Sequence, residues 1–112
     1  MGTEMSTNQA VKDFVEGEIS SHKVMMFSKT YCPFCTKAKK ALQKAGLQDF
    51  HVIEIENRSD GGEIQDYLNK RNRSRTVPQV HINGKFIGGG TETEDLERSG
   101  KLLEMLKACG AL

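Results

Sequence analysis

Cysteine is scarce in this chain, with three in 112 residues. No secretory segment is recognisable, so these few thiols do not read as the disulfide framework of a small secreted scaffold. Long apolar runs are missing too. The longest, residues 24–27, is far short of the roughly 20 apolar residues that span a bilayer. Nor is there an excess of either charge: sixteen basic and fifteen acidic residues leave a formal net charge of +1. Bulk electrostatics therefore give no argument for a nucleic acid or an anionic membrane as partner. Metal ligands are also thin. One C-x-x-C, a remote Cys109 and three histidines scattered in sequence, His22, His51 and His81, fall short of the paired spacings of a zinc site, and no metal is expected. There is no internal repeat, low-complexity tract or interdomain linker. What is left is one soluble, cytoplasmic, monomeric domain at 8–112, long enough to build a core without staples, behind a flexible extension at 1–7.

The tetrad Cys32-Pro33-Phe34-Cys35 is the most informative thing present. It follows a short apolar run and opens a helical pattern, and two cysteines at this spacing can form a redox-active dithiol. A helix N-terminus presents unpaired N–H groups and a partial positive charge, which favours a thiolate over a thiol at Cys32. Pro33 suits the first turn, where its missing N–H costs nothing, and Lys29 lies close enough to add positive charge. Cys32 is the expected nucleophile and Cys35 its resolving partner. Near the chain end, Cys109 could either pack as a small apolar residue or sit exposed as a redox-sensitive thiol.

The rest of the chain alternates helix and strand patterns. Ala10, Val11, Phe14, Val15 and Ile19 recur at helical spacing after the capping candidates Ser6 and Thr7, and residues 24–27 read as a buried strand. Ala38, Ala41, Leu42 and Ala45 form the next helical stripe, stopped by Gly46. A second strand is expected at 50–56 and a helix at 60–72, which together make a parallel βαβ unit. Strands at 79–82 and 85–87 flank Asn83-Gly84, a pair favoured in two-residue hairpin turns. Helices at 91–99 and through Cys109 complete an α/β fold with a mixed four-stranded sheet flanked by about five helices.

These motifs occur together and in order: residues 29–35, Glu63-Ile64-Gln65-Asp66-Tyr67-Leu68, Arg75-Thr76-Val77-Pro78-Gln79-Val80, and Ile87-Gly88-Gly89 before a helix. With them the chain resembles, over about residues 8–112, a dithiol glutaredoxin of the thioredoxin-like superfamily. The resemblance implies a glutathione-dependent thiol–disulfide oxidoreductase that acts on glutathionylated and disulfide-containing proteins, with glutathione as co-substrate. It implies a cis Pro78 whose neighbour Val77 exposes its backbone to glutathione. Lys29 and Gln65 would meet the glycyl carboxylate, with Tyr31 and Thr76 lining the groove. Beyond Gly88, Gly89 and Gly90, the helix start at Thr91 and Glu92 would meet the γ-glutamyl end. Many relatives carry aspartate where Glu92 stands and a bulkier residue where Gly90 stands, which points to altered geometry and a looser loop here. In the family's monothiol cycle Cys32 becomes glutathionylated and a second glutathione regenerates it; the dithiol cycle also needs Cys35.

Two other functions fit parts of the pattern. A thioredoxin-like protein disulfide reductase would usually show Trp-Cys-Gly-Pro-Cys, and tryptophan is absent here. A glutathione-ligated iron–sulfur carrier would use the first cysteine, but Pro33 is usual in relatives that hold no cluster. At the amino terminus, Gly2 and Ser6 formally match a myristoylation pattern, with Met5 as an alternative start.

Overall fold

The computed structural model describes residues 8–112. The expected extension at 1–7, with the capping candidates Ser6 and Thr7 and the Gly2 acylation pattern, lies outside the described residues. Helix α1 (Gln9–Ser21) instead takes its cap from Asn8, whose Oδ1 accepts from Ala10 N at 2.8 Å. Asparagine caps as well as serine, so the helix starts later than expected. Its buried face is Val11, Val15 and Ile19, three residues at i, i+4 and i+8.

Strand β1 (Val24–Ser28) is buried along its whole length because both of its faces are covered. Val24 and Met26 pack with Leu42, Leu102 and Leu106 on one side; Met25 and Phe27 pack with Val15, Ile64 and Leu68 on the other. The first side is closed by α2 (Pro33–Lys44) and α5 (Lys101–Ala108), the second by α1 and α3 (Gly61–Asn72). Strand β2 (His51–Glu54) pairs parallel to β1 and is shorter than the expected 50–56. Its last pair is Ser28↔Glu54, where β1 ends, and the chain then turns into a 3-10 helix (Ile55–Asn57) that buries Ile55 in the α1/α3 core.

Strands β3 (Gln79–Ile82) and β4 (Lys85–Gly88) complete a mixed sheet of order β2-β1-β3-β4, in which β3 runs antiparallel to both its neighbours. Asn83 and Gly84 both have positive φ, 53° and 82°, as the expected two-residue turn requires. Helix α4 (Gly90–Arg98) follows β4. Sheet and helices together make the thioredoxin-like arrangement expected from the sequence. The register decides where chemistry can occur. Phe27 pairs with Gln79 and Val80 with Gly88, so the end of β1, the start of β3 and the end of β4 meet at one edge of the molecule.

Candidate active site

That edge holds the two thiols. Cys32 caps α2 in extended conformation, and its Sγ accepts from Cys35 N at 3.3 Å, while Pro33 occupies the first helical turn. Cys32 is partly exposed and Cys35 is fully buried, and both are free. Burial, reinforced by the hydrogen bond with Cys32, pushes the Cys35 thiol up to about 11. Its sulfur accepts weakly from Lys29 N at 3.5 Å. The pair is thus asymmetric, with one accessible sulfur at a helix terminus and one protected thiol behind it.

The loop before Cys32 is anchored from outside. Thr30 donates to Glu56 Oε2 through its N–H at 3.1 Å and also through its hydroxyl. The Thr30 hydroxyl chiefly, and the Lys29 charge less, hold the Glu56 carboxyl below its usual range. Nothing in the sequence pattern marked Glu56, because it meets Thr30 only through the pairing of β2 with β1. Tyr31 is 70% exposed and Phe34 49% exposed, two aromatic faces flanking the nucleophile. The sequence pattern gives Phe34 no role beyond its place in the tetrad, although an aromatic residue beside a nucleophile is the available signal.

Facing α2 is the loop leading into β3. The Val77–Pro78 peptide bond is cis, as expected, and the Val77 carbonyl oxygen lies 3.7 Å from Cys32 Sγ. Gln79 organises this loop from beneath. It is fully buried, its Nε2 donates to the carbonyls of Thr76 (3.0 Å) and Ser74, and its Oε1 accepts from Asn72 at 2.9 Å. A buried amide satisfied on every side fixes backbone rather than ligand. Thr76 is exposed, with its hydroxyl 3.0 Å from that of Ser74. Gln65 reaches the same loop, its Nε2 donating to Arg75 O at 2.9 Å.

The third wall is the Gly88–Glu92 segment. Here Glu92 folds back, and its Oε1 accepts from Gly89 N at 2.7 Å, capping α4 in the manner of a capping-box glutamate. Gly90 departs from the looser loop expected of it. It is buried, and a Cβ there would lie 2.7 Å from the Phe34 carbonyl oxygen, so α4 begins in close contact with α2. Between these walls runs an open groove bordered by Phe34, Thr76, Pro78, Gly89, Thr91 and Glu92. Of the expected site residues, Thr76, Val77, Pro78, Gly89, Gly90, Thr91 and Glu92 line this groove, Tyr31 stands exposed next to Cys32, Lys29 enters through its backbone N–H and Gln65 through the loop it holds.

A glutaredoxin family model matches residues 24–87. The chain belongs to the glutaredoxin family. It is 47% identical over 98 residues to glutaredoxin-C4 of Arabidopsis thaliana, covering 88% of this chain and 72% of that one. Oxidized glutaredoxin 2 of Chlamydomonas reinhardtii superposes with a TM-score of 0.88 at 42% identity, over 95% of this chain and 99% of that one. A buckwheat glutaredoxin–glutathione complex also gives 0.88, at 38% identity and 99% of both chains. The Cys32/Cys35 spacing is that of a dithiol member, and family membership makes the chain a thiol oxidoreductase. Among the described residues no helix is long and apolar enough to cross a membrane. Cys109, half-buried against the α2/α5 core with its Sγ 3.5 Å from Leu106 O, stands apart from the site.

Proposed function

We propose that the chain is a glutathione-dependent thiol–disulfide oxidoreductase that removes glutathione from mixed disulfides through Cys32. The observation that carries this reading is the pairing of the partly exposed Cys32 at the α2 terminus with the Val77 carbonyl 3.7 Å from its sulfur, beside an open groove that Val77 itself lines. An extended peptide could add its backbone to that of Val77 while its cysteine sulfur reaches Cys32. One end of the peptide would face Thr76 and the Lys29/Gln65 side. The other would face the α4 terminus at Gly89, Gly90 and Thr91, where N–H groups suit a carboxylate and Glu92 suits an ammonium. The binding of glutathione by the buckwheat relative supports this choice of peptide.

In the first step the Cys32 thiolate attacks the glutathione-side sulfur of the mixed disulfide. A Cys32–glutathione bond forms, the old S–S bond breaks, and the protein sulfur leaves with the electron pair and is protonated by solvent. A second glutathione thiolate then attacks the bound glutathione sulfur, which releases oxidised glutathione and restores Cys32. In the dithiol alternative Cys35 must lose its proton to attack the Cys32 sulfur. Burial, the largest cause of its raised pKa, opposes that loss.

The deciding experiment is a turnover assay with glutathione, a small glutathione mixed disulfide and a glutathione-recycling system, on wild type and Cys32→Ser. Activity should depend on glutathione and vanish in the variant. Turnover independent of glutathione would remove this reading.

A further inference from the structure

At the end of β1 remote from Cys32, three side chains converge that the thiol chemistry does not use. Glu18 lies in the last turns of α1, His22 is the residue that ends it, and His51 opens β2. The register Met25↔His51 carries β2's first residue to this end, so two histidines far apart in sequence meet. Their rings stack with centroids 3.9 Å apart and planes within 4° of parallel. Both turn Nε2 toward one oxygen: His51 Nε2 lies 2.9 Å and His22 Nε2 3.7 Å from Glu18 Oε1. One ligand atom from each of the three residues lies within 4.8 Å of the others.

We propose that Glu18, His22 and His51 form a binding site for one divalent transition-metal ion of the zinc type. Two imidazoles and a carboxylate are a donor set that zinc takes, with the fourth position left for water. Bonds of about 2.0–2.1 Å in a tetrahedron place ligand atoms roughly 3.3–3.5 Å apart, with the ion in the plane of each imidazole, so binding turns the stacked rings out of parallel until both Nε2 atoms point at one ion. The backbone positions are already held, His51 by the β1 ladder and His22 by the helix end. At 3.7 Å the His22 contact is too long for a hydrogen bond. A shared ion would give both ring nitrogens a partner where Glu18 gives one.

The surroundings permit entry. The side chains of Glu18, His22 and His51 are 25%, 34% and 40% exposed. Of the cations on the adjoining segments, Lys23 Nζ donates to Gly110 O at 3.3 Å, and Arg58 pairs with Asp60 at 2.8 Å while its charge also reaches Glu18. Asp49 lines the same groove as both histidines and adds negative charge.

Zinc would also bind the thiols, so affinity is best read in the full chain carrying Cys32→Ser, Cys35→Ser and Cys109→Ser. Calorimetric titration with Zn2+ should show one equivalent bound. His22→Ala and His51→Ala should each weaken binding roughly tenfold or more, as the loss of one ligand in three implies, and Glu18→Gln should weaken it less. The wild-type chain supplies a readout that depends on no variant: imidazole nitrogen resonances of His22 and His51 should shift on adding Zn2+, with those of buried His81 unmoved. Resonance shifts that spare His22 and His51, no binding in the serine background, or binding indifferent to both histidine changes would each overturn the site.

Discussion

The backbone N–H of Cys35 donates to the sulfur of Cys32 across 3.3 Å. This contact belongs to the main chain, so it survives replacement of the Cys35 side chain. The buried thiol can therefore be removed without disturbing the hydrogen bond that the nucleophile receives.

Cys35→Ser should accordingly retain or increase activity on glutathionylated substrates, since the unproductive internal disulfide can no longer compete with the second glutathione. Reduction of protein disulfides by the dithiol route should fall sharply, because no thiol remains to expel the substrate from Cys32. Parallel turnover assays, with trapped mixed disulfides detected by mass, separate the outcomes. Equal loss in both assays would mean that Cys35 serves structure alone.

His81 should make stability depend on pH. It is fully buried between Phe27 and Phe86 and sits 3.0 Å from the Asn72 amide. Burial, aided by the nearby Arg71 charge, pushes it down from 6.5 to about 4. The folded state keeps the ring neutral while the unfolded chain takes up a proton below about 6.5, so stability falls as pH drops between these values. The loss should approach about 2 kcal/mol by pH 5. Urea midpoints from pH 7 to pH 5 should show a shallower decline in His81→Gln; identical slopes would refute the assignment.

Gly90→Ala tests the close approach of α4 to α2. A Cβ there would lie 2.7 Å from the Phe34 carbonyl oxygen and 3.1 Å from its Cβ, so one helix must move. Overpacking of this kind costs about 1–3 kcal/mol, read as a lowered urea midpoint. An unchanged midpoint would show that the α4 terminus is free to yield.

The local signals were legible in the sequence where the cause is local. The tetrad with proline at the first helical turn, the Asn83-Gly84 hairpin and the doubly apolar β1 all follow from neighbours along the chain. Misreadings arose where a partner distant in sequence decides. Strand β2 stops at Glu54 because β1 ends opposite it, which no periodicity within 50–56 reveals. Gln79 reads as a strand residue, yet its buried amide holds the loop beside Cys32, a role visible only once β3 is paired. His22 and His51 looked scattered until the parallel register of β1 and β2 stacked them.

Glu92 combines two roles that a single substitution can separate. Its Oε1 accepts from Gly89 N at 2.7 Å and so caps α4, while its charge is placed for the ammonium end of glutathione in the reading above. A glutamine keeps the acceptor oxygen and the side-chain length but loses the charge. Glu92→Gln should therefore leave the melting temperature nearly unchanged, since the cap is retained. It should raise the KM for the glutathionylated substrate roughly threefold to tenfold, the cost of turning a charge-assisted contact at a solvent-exposed position into a neutral one. Loss of stability with an unaltered KM would assign Glu92 to the cap alone, and the ammonium would have to be met by another group.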